Sequence, residues 1–478
     1  MRLATLALRG LRFHWRGHLG TLAGATVATA ILLGALLVGD SVRFSLKSQA
    51  LERLGGTHLA LIGRGRYFRT GLAGNLAGSL RVPVSPLLRL SATASSSDGE
   101  VRAGSVQALG VDDRFWSMAG ARPPSGLHGE GAVVLNRRLA ARLAVKPGDE
   151  ILLRVDKPSL LSRDAPLSTL ERSTVALRLQ VAAMAKDDAL GRFGLDANQV
   201  PPLNAFLPLS LLQREVGLRG RSNVLLLGER GGYGVTPQQA AQALWRYWGL
   251  TDVGLKLREL PGRRLLELTS ESIFIDPAVA KAAMGIQGAQ GVLTYLVNDL
   301  RVGDRSTPYS IVTAMQGGPV PPGMADGGVL LNEWLARDLG ASPGDDLRLS
   351  YYTVGRLRHF TQRSSTFRVA GVVPLSGAAA DRGLMPDFPG VTQRKSCRDW
   401  EPGIPIDLHR IRDRDEEYWK RYQGTPKAFL TLAAGQRLWG TQWGNLTAIR
   451  YPEGKSSAQA LELCIKQALN PSSLGLLF

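Results

Sequence analysis

The longest apolar run of the chain lies near its N-terminus and constrains everything that follows. It covers Leu19–Val38, LGTLAGATVATAILLGALLV, twenty residues without a charged residue, Asn, Gln or Pro. As an α-helix with a rise of about 1.5 Å per residue, such a run spans about 30 Å, the hydrocarbon thickness of a bilayer. The sequence holds no second run of this kind. We therefore predict a single transmembrane helix over residues 19–38.

A cleavable signal peptide is the alternative interpretation of the same run. The apolar part of a signal peptide is normally about 7–15 residues long and ends at a cleavage site of small residues. This run is longer and continues into Gly39, Asp40 and Ser41, which favours a retained anchor. Either interpretation places the bulk of the chain on the outer side of the membrane.

The segment before the run, residues 1–18, is amphipathic. On a helical wheel its basic and apolar residues fall on opposite sides; the basic ones are Arg2, Arg9, Arg12 and Arg16, and the apolar ones are Leu3, Ala4, Ala7, Leu8, Leu11 and Trp15. This pattern predicts a helix that lies in the head-group region, with membrane lipid as its partner. Because short basic segments resist translocation, we expect this N-terminal helix in the cytoplasm.

Residues 39–56 follow the run and carry an apolar residue at every fourth position, namely Val42, Leu46, Ala50 and Leu54. The helix is predicted to continue outward as a stalk and to stop at Gly55-Gly56. A stripe of this kind usually packs against its own domain. Since it is continuous with a membrane span, it could also transmit movement.

The formal net charge of +18 and the pI near 10.3 raise the question of nucleic-acid binding. The basic residues are mostly single arginines, with no Lys/Arg block and no basic stripe interleaved with aromatic residues, so we predict no nucleic-acid partner. A basic exterior that faces anionic lipid fits the pattern equally well. Cys397 and Cys464 lie far apart and outside any CxxC motif, so one disulfide and two free thiols both remain open.

From Thr57 onward the pattern changes to short strand-like runs, turns and occasional helices, which is typical of an α+β domain. One motif occurs twice, as AVVLNRRLAARLAVKPGD at 132–149 and as GVLLNEWLARDLGASPGD at 328–345. In each copy we predict a buried strand, an Asn that caps an amphipathic helix (Asn136 or Asn332) and a Pro-Gly-Asp turn into the next strand. Asp149 and Asp345 are therefore predicted as turn residues rather than as catalytic carboxylates.

Looser matches extend the repeat. They pair residues 204–209 with 427–432, 223–227 with 445–449, and 104–109 with 309–314, and each copy closes with a helix candidate, at 237–248 and at 456–469. We therefore predict two related lobes, lobe 1 over residues 57–260 and lobe 2 over residues 261–478. Lobe 2 differs by a long polar insertion, residues 375–422. Its charged run at 410–419 is predicted as a solvated helix face and as a place to seek a partner contact.

The whole layout resembles the MacB/FtsX-like permease subunits of ABC transporters. It is similar to their first transmembrane helix followed by the MacB-like periplasmic core domain, and locally the resemblance rests on Leu-Asn-x-x-Leu-Ala-x-x-Leu-x-x-x-Pro-Gly-Asp, which occurs twice in VVLNRRLAARLAVKPGDEILL and VLLNEWLARDLGASPGDDLRL. The resemblance implies an α+β fold class: an N-terminal interfacial helix and a single transmembrane helix, followed by a two-lobed, internally duplicated periplasmic domain on the inner membrane.

The resemblance also implies partners and a mechanical role. Members of the family normally work with a separate ABC ATPase subunit, as a dimer of permease subunits. They have three further spans after the periplasmic domain, whereas this sequence ends at Phe478, so by resemblance it is expected to be a truncated permease or the N-terminal portion of a longer one. The implied role is to couple ATPase-driven helix movement to export or extraction of a lipoprotein, peptide or amphiphile.

Catalytic signatures are absent from the sequence. It contains no G-x-x-x-x-G-K-[ST] loop, no G-x-S-x-G elbow and no H-E-x-x-H pair, and its six histidines are dispersed. We therefore predict no catalytic, cofactor-binding or metal-ligating residue, no cofactor and no enzymatic activity. The alternative function that stays open is a membrane-anchored periplasmic binding or scaffold protein that needs no ATPase.

Overall fold

The computed structural model describes residues 3–129, 131–158, 174–196, 200–229, 231–232, 234–260, 262–355, 359–452 and 457–478. Arg2 lies outside these ranges. The α-helices are α1 (Leu3–Phe13), α2 (Trp15–Leu54), α3 (Leu72–Leu80), α4 (Asp113–Ser117), α5 (Arg137–Leu143), α6 (Leu209–Glu215), α7 (Pro237–Tyr247), α8 (Pro277–Met284), α9 (Glu333–Leu339), α10 (Asp413–Tyr422), α11 (Leu432–Trp439) and α12 (Ala458–Gln467).

The strands of the first half are β1 (Thr57–Gly63), β2 (Phe68–Arg69), β3 (Val84–Ser96), β4 (Arg102–Val111), β5 (Ala132–Asn136), β6 (Glu150–Asp156), β7 (Thr174–Ala185), β8 (Leu203–Pro208), β9 (Arg221–Ser222) and β10 (Val224–Gly228). Those of the second half are β11 (Leu255–Leu260), β12 (Leu265–Ser270), β13 (Gln290–Val302), β14 (Arg305–Met315), β15 (Gly328–Asn332), β16 (Asp346–Val354), β17 (Phe360–Val373), β18 (Ala428–Thr431), β19 (Ala448–Pro452) and β20 (Leu476–Leu477).

The N-terminal helices stand apart from the rest of the chain. The helical path is interrupted at His14, and α2 then runs unbroken for 40 residues. Among the described helices, α2 is the one that is long and apolar enough to cross a membrane. Most of the stalk stripe does not pack on the lobes, since Val42 and Leu46 keep 52% and 44% of their surface exposed, whereas Leu54 at the helix end is partly buried. Packing of the stripe against its own domain is therefore confined to the end of this helix.

Lobe 1 is built on a nine-stranded sheet that partly closes on itself. Strand β3 pairs with β4 on one side and with β6 on the other, so that six strands in the order β3-β4-β8-β5-β7-β6 form a closed barrel. Three further strands, β10, β1 and β20, extend the sheet outward from β3. Closure removes the free edges of the six barrel strands.

Lobe 2 repeats this arrangement. Its barrel has the order β13-β14-β18-β15-β17-β16 and closes through the pairing of β13 with β16, and strands β19, β12 and β11 extend the sheet from β13. The two strand orders are equivalent position by position. The structure thus confirms an α+β fold with one candidate N-terminal transmembrane helix followed by two similar lobes.

The two sheets exchange their outermost strands. Strand β11, which the predicted boundary at residue 260 assigns to lobe 1, pairs antiparallel with β12 of lobe 2 along its full length, from Leu255 opposite Ser270 to Leu260 opposite Leu265. Strand β20, the last strand of lobe 2, pairs with the end of β1 in lobe 1. Each sheet therefore contains a strand contributed by the other lobe.

The repeated motif adopts the local structure that its sequence predicts. The side-chain oxygen of Asn136 accepts a hydrogen bond from the N–H of Leu139 at 2.9 Å, and that of Asn332 accepts one from the N–H of Leu335 at 2.8 Å, so both cap the following helix. The two turn carboxylates each accept a backbone N–H three residues upstream at 2.8 Å; they are Asp149 and Asp345. Both predictions are confirmed.

Candidate functional site

The end of α2 is fitted closely to lobe 1. Gly55 has φ +57°, a conformation that glycine adopts at little cost, and a Cβ there would lie 2.8 Å from a methyl group of Leu190. The N–H of Gly56 donates to the carbonyl oxygen of Met118 at 2.9 Å, and a Cβ on Gly56 would overlap that oxygen. The two glycines thus do more than end the helix, because larger residues would push the helix off lobe 1.

The surface that receives the helix is a buried aromatic cluster. Phe115 packs against Trp116, Phe193 and Phe206 with ring centroids 5.2–5.8 Å apart. Leu190 belongs to the same cluster, is 3% exposed and has φ +61°, a region that a leucine rarely occupies. Tight packing on all sides holds it there. The helix end therefore meets a rigid surface.

Arg66 links the two lobes close to the exchanged strands. Its guanidinium donates to the carbonyl oxygen of Val253 at 3.0 Å and to that of Leu474, in lobe 2, at 3.2 Å. The carboxylate of Asp276, also in lobe 2, lies 3.9 Å away. Burial lowers the pKa of Arg66, while the charges of Asp276 and Glu271 act against that shift.

Two further ion pairs lie beside this junction, one within lobe 1 and one between the lobes. Asp252 is fully buried and accepts hydrogen bonds from the backbone N–H of Arg69 at 2.9 Å and from its guanidinium at 2.9 and 2.7 Å. The guanidinium of Arg221 reaches across to Glu271 of lobe 2 at 3.2 Å. An apolar cluster that draws residues from both lobes, including Leu61 and Leu296, surrounds these contacts. The lobes are thus joined by strands, ion pairs and apolar packing together.

The insertion of lobe 2 packs against its own barrel. Helix α10 buries Asp415, Glu416, Tyr418 and Trp419. The prediction of a solvated helix face for residues 410–419 is therefore wrong for this side of the helix, although Asp413, Arg414 and Glu417 are exposed. The two cations beside Asp415 explain its burial. Asp415 receives the guanidinium of Arg412 at 2.7 Å and has the ammonium of Lys427 at 3.5 Å.

Lys427 lies at the centre of this cluster. Its Nζ is 4.5 Å from the ring centroid of Trp334 and 4.9 Å from that of Tyr418, an arrangement that attracts a cation. Burial lowers the pKa of Lys427, and the charge of Asp415 opposes that shift. Burial alone would raise the pKa of Asp415, but the hydrogen bond from Arg412 and the charge of Lys427 outweigh it and hold that pKa below its usual value.

The small pocket beside this cluster does not suit a substrate. It is lined by residues of the insertion and of β14, among them Tyr309, Trp400 and Lys427, and encloses about 20 Å³, which is room for about one water molecule. Burial, together with the neighbouring Glu416 carboxylate, raises the pKa of the Cys397 thiol to about 12, so this thiol is a poor nucleophile.

The residues that the sequence left without a role are spread over the molecule. Cys397 is buried and Cys464 is exposed, and both are free thiols. His58 pairs with Glu229 and His128 with Asp113, on separate parts of lobe 1. The sequence pointed to the end of α2 through Gly55-Gly56, but it did not reveal the strand exchange, because the exchanged strands carry no motif.

Comparisons with known proteins give partial structural likenesses. No protein-family model matches the sequence, and a search of curated proteins finds no match. Part of the chain is similar to the periplasmic region of MacB from Actinobacillus actinomycetemcomitans, at 14% identity and a TM-score of 0.26, over 41% of this chain and 84% of that one. Part is also similar to the extracellular domain of the ABC-type transporter YknZ from Gram-positive bacteria, at 13% identity and a TM-score of 0.25, over 36% of this chain and 84% of that one.

Proposed function

We propose that the chain is a permease subunit, or the N-terminal part of one, of an ABC transporter of the MacB/FtsX type. In this proposal α2 spans the plasma membrane, α1 lies on the cytoplasmic surface and both lobes are outside. The observation that carries it is the unbroken course of α2 from the apolar run to Gly55. Because an α-helix is stiff along its axis, a displacement of the span reaches the lobes.

The junction offers a route for that displacement into both lobes. Strand β1 begins directly after the helix, at Thr57, and pairs with β10 of its own lobe and with β20 from lobe 2. Arg66, three residues after the end of β1, donates a hydrogen bond to the carbonyl oxygen of Leu474 just before β20. A push or rotation at the helix end would therefore change the position of lobe 2 as well as that of lobe 1.

The proposal also names the source of energy for the movement and the class of molecule that is transported. In this proposal a separate ATPase subunit supplies the energy, and a second permease subunit provides the opposing set of lobes. The cargo is a lipoprotein, peptide or amphiphile that the lobes push or release at the outer surface of the membrane.

A helix-breaking substitution in the stalk tests the proposal. Ser45 is exposed in the middle of the stalk, and proline at such a position costs about 3 kcal/mol of helix stability. A strain that lacks the protein first identifies the molecules that no longer appear outside the cell. Ser45→Pro and Ser45→Ala are then each expressed in that strain, and the export of these molecules is compared. Lobe folding is checked by circular dichroism of each purified variant.

We expect both variants to keep folded lobes and to remain in the membrane. Ser45→Ala restores the missing molecules to the external fraction, whereas Ser45→Pro leaves export lost even though the protein is present. If Ser45→Pro restores export fully, the stalk does not transmit movement. That result would favour an anchored binding or scaffold protein.

A further inference from the structure

The outer face of the lobe 1 barrel carries a shallow basic groove. On β3, Thr93 stands opposite Arg154 of β6, and Ser95 stands opposite Arg102 of β4. Directly opposed residues of antiparallel strands point to the same face of the sheet. The two guanidinium groups therefore flank Thr93 and Ser95 from opposite sides, and of these two hydroxyl side chains Thr93 is the exposed one, since Ser95 is buried. Thr93, Arg102 and Arg154 are all exposed, and the groove between them is concave.

Neither arginine of this groove has a carboxylate partner within the described part of the chain. Elsewhere on the molecule arginines pair readily, as Arg89 does with Asp196 at 3.0 Å and Arg114 with Asp112 at 2.6 Å. Two unpaired guanidinium groups beside the exposed hydroxyl of Thr93 make a site suited to a carboxylate or a phosphate.

Lobe 2 has the same site with the charges rearranged. Asp299 of β13 stands opposite Ser350 of β16, and Arg301 stands opposite Ser306 of β14. A backbone feature beside the groove also recurs, since Ser105 and Tyr309 both have positive φ values, although only the β3–β4 pairing shifts its register there. The strands thus align Thr93 with Asp299, Arg102 with Ser306 and Arg154 with Ser350, so lobe 2 has one acidic residue where lobe 1 has a neutral one.

In lobe 2 this face is covered by a short segment of the insertion, residues 407–412, which contains one 3-10 turn at Leu408–Arg410. The N–H of Asp407 donates to the hydroxyl oxygen of Tyr309 at 2.7 Å. The guanidinium of Arg410 binds Asp299 and lies 5.6 Å from the Tyr309 ring centroid. That of Arg412 donates to the carbonyl oxygen of Ser306 at 2.8 Å. The site is therefore a docking surface for a peptide segment within this molecule.

The equivalent connection of lobe 1 is much shorter. Residues 186–202 join β7 to β8, against residues 374–427 between β17 and β18. Asp299 is buried in lobe 2, while the equivalent Thr93 is exposed in lobe 1. The same face of the same barrel is thus covered in one lobe and open in the other.

We propose that the groove of Thr93, Arg102 and Arg154 is a docking site for a short acidic segment of a partner protein. In lobe 2 the strands supply the carboxylate of Asp299, which pairs with Arg301 of its own strand and with Arg410 of the docked segment. In lobe 1 the strands supply two arginines and no carboxylate at this site, so the docked segment supplies Asp or Glu. The assignment goes beyond the transport role and does not depend on it, since it requires neither an ATPase nor movement of α2.

The test uses the full chain in nanodiscs of neutral lipid and a fluorescent peptide. The peptide copies residues 405–412 with Arg410→Glu and Arg412→Glu, and an unaltered copy serves as the control peptide. Binding is followed by fluorescence anisotropy at low and at physiological salt. The protein variants are Arg102→Ala/Arg154→Ala, Thr93→Asp, and the matched control Arg137→Ala/Arg142→Ala, which removes two exposed arginines from α5 of the same lobe.

We expect the acidic peptide to bind the natural chain and the α5 control equally well, and to bind Arg102→Ala/Arg154→Ala at least about tenfold more weakly. Thr93→Asp should weaken it similarly, because its carboxylate occupies both arginines. If the α5 control loses as much peptide affinity as Arg102→Ala/Arg154→Ala, the binding depends only on the net charge of the protein, and the proposed site is overturned. Binding to anionic vesicles but not to the peptide would overturn the assignment to a protein partner.

Discussion

The backbone N–H of Gly56 donates a hydrogen bond to the carbonyl oxygen of Met118 at 2.9 Å, which ties the residue after the 40-residue helix to lobe 1. A methyl group at Gly56 would overlap the oxygen that accepts this bond. We expect Gly56→Ala to lower the free energy of unfolding by about 1–3 kcal/mol, as other overpacking substitutions do. Thermal unfolding followed by circular dichroism measures the loss.

The control for this substitution is Gly39→Ala. Gly39 lies inside α2, and a Cβ added there would have no atom within 4 Å. Alanine also stabilises a helix relative to glycine by up to about 1 kcal/mol. We expect Gly39→Ala to be neutral or slightly stabilising. Equal melting temperatures for the two variants would show that the helix end is not held against lobe 1 as described.

The buried ion pair of lobe 1 next to the exchanged strand β11 gives a second prediction. Arg69→Ala leaves the fully buried carboxylate of Asp252 without its guanidinium partner. Removing one member of a buried pair costs about 3–5 kcal/mol, and because Arg69 is itself half exposed we expect about 2 kcal/mol here. Chemical denaturation measures this cost. Arg246→Ala, which removes an exposed arginine from α7, should change stability little, and a comparable loss there would contradict the role of the Arg69–Asp252 pair.

The sequence predicted those features that depend on local patterns. The apolar run, the glycine pair and the two capping residues, Asn136 and Asn332, each act within a few residues of their own position, so their spacing alone identifies them. The repeat predicted two similar lobes for the same reason, because each copy carries its own strand, cap and turn.

Features that depend on distant contacts were not predictable in this way. Strand β20 has two residues, and its pairing with β1 brings together positions more than four hundred residues apart. The burial of Asp415 in the charged run was not predicted, because one of the cations beside it is Lys427. Lys427 lies outside the run, and no sequence pattern links it to Asp415. The candidate site lies where such long-range contacts meet, and so only its glycine pair was visible in the sequence.

The two capping asparagines provide a matched pair of predictions. Each is buried, caps a helix and also donates to a carbonyl oxygen of its own lobe, that of Pro202 for Asn136 and that of Pro426 for Asn332. We expect Asn136→Ala and Asn332→Ala each to cost about 2 kcal/mol. Hydrogen exchange should place the loss in lobe 1 for the first and in lobe 2 for the second.

The exposed Asn75 of α3 makes no such contacts in the described structure, so Asn75→Ala serves as the control and should leave both lobes unchanged. A loss spread evenly over both lobes in either capping variant would show that the two barrels do not fold as separate units around their own caps.

The acid stability of lobe 2 should depend on Asp415. The pKa of Asp415 is lowered in the folded state from its usual value of 3.8. Its contribution to stability is therefore complete above pH 3.8 and is lost as the pH falls below 3.8 towards the folded-state pKa. Asp415→Asn removes this contribution, and we expect a lower stability at pH 7 and a flatter dependence on pH below about 4. Urea unfolding at a series of pH values measures both effects.

The neighbouring Asp413 pairs with Arg398 in a largely exposed position. Asp413→Asn therefore serves as the control and should leave the pH profile close to that of the natural chain. A profile for Asp415→Asn as steep as that of the natural chain would assign the acid sensitivity to other carboxylates.

The central claim is that α2 crosses the membrane and holds both lobes outside. Cys464 is exposed on α12 while Cys397 is buried, so a maleimide that does not cross membranes should label one thiol of the folded chain. The measurement is labelling of intact cells, compared between the natural chain and a Thr5→Cys/Cys464→Ser variant that moves the reactive thiol to α1. The account predicts that Cys464 is labelled in intact cells, and that the thiol introduced into α1 of the variant is labelled only after the membrane is opened. Labelling of Cys464 only after the membrane is opened would contradict it.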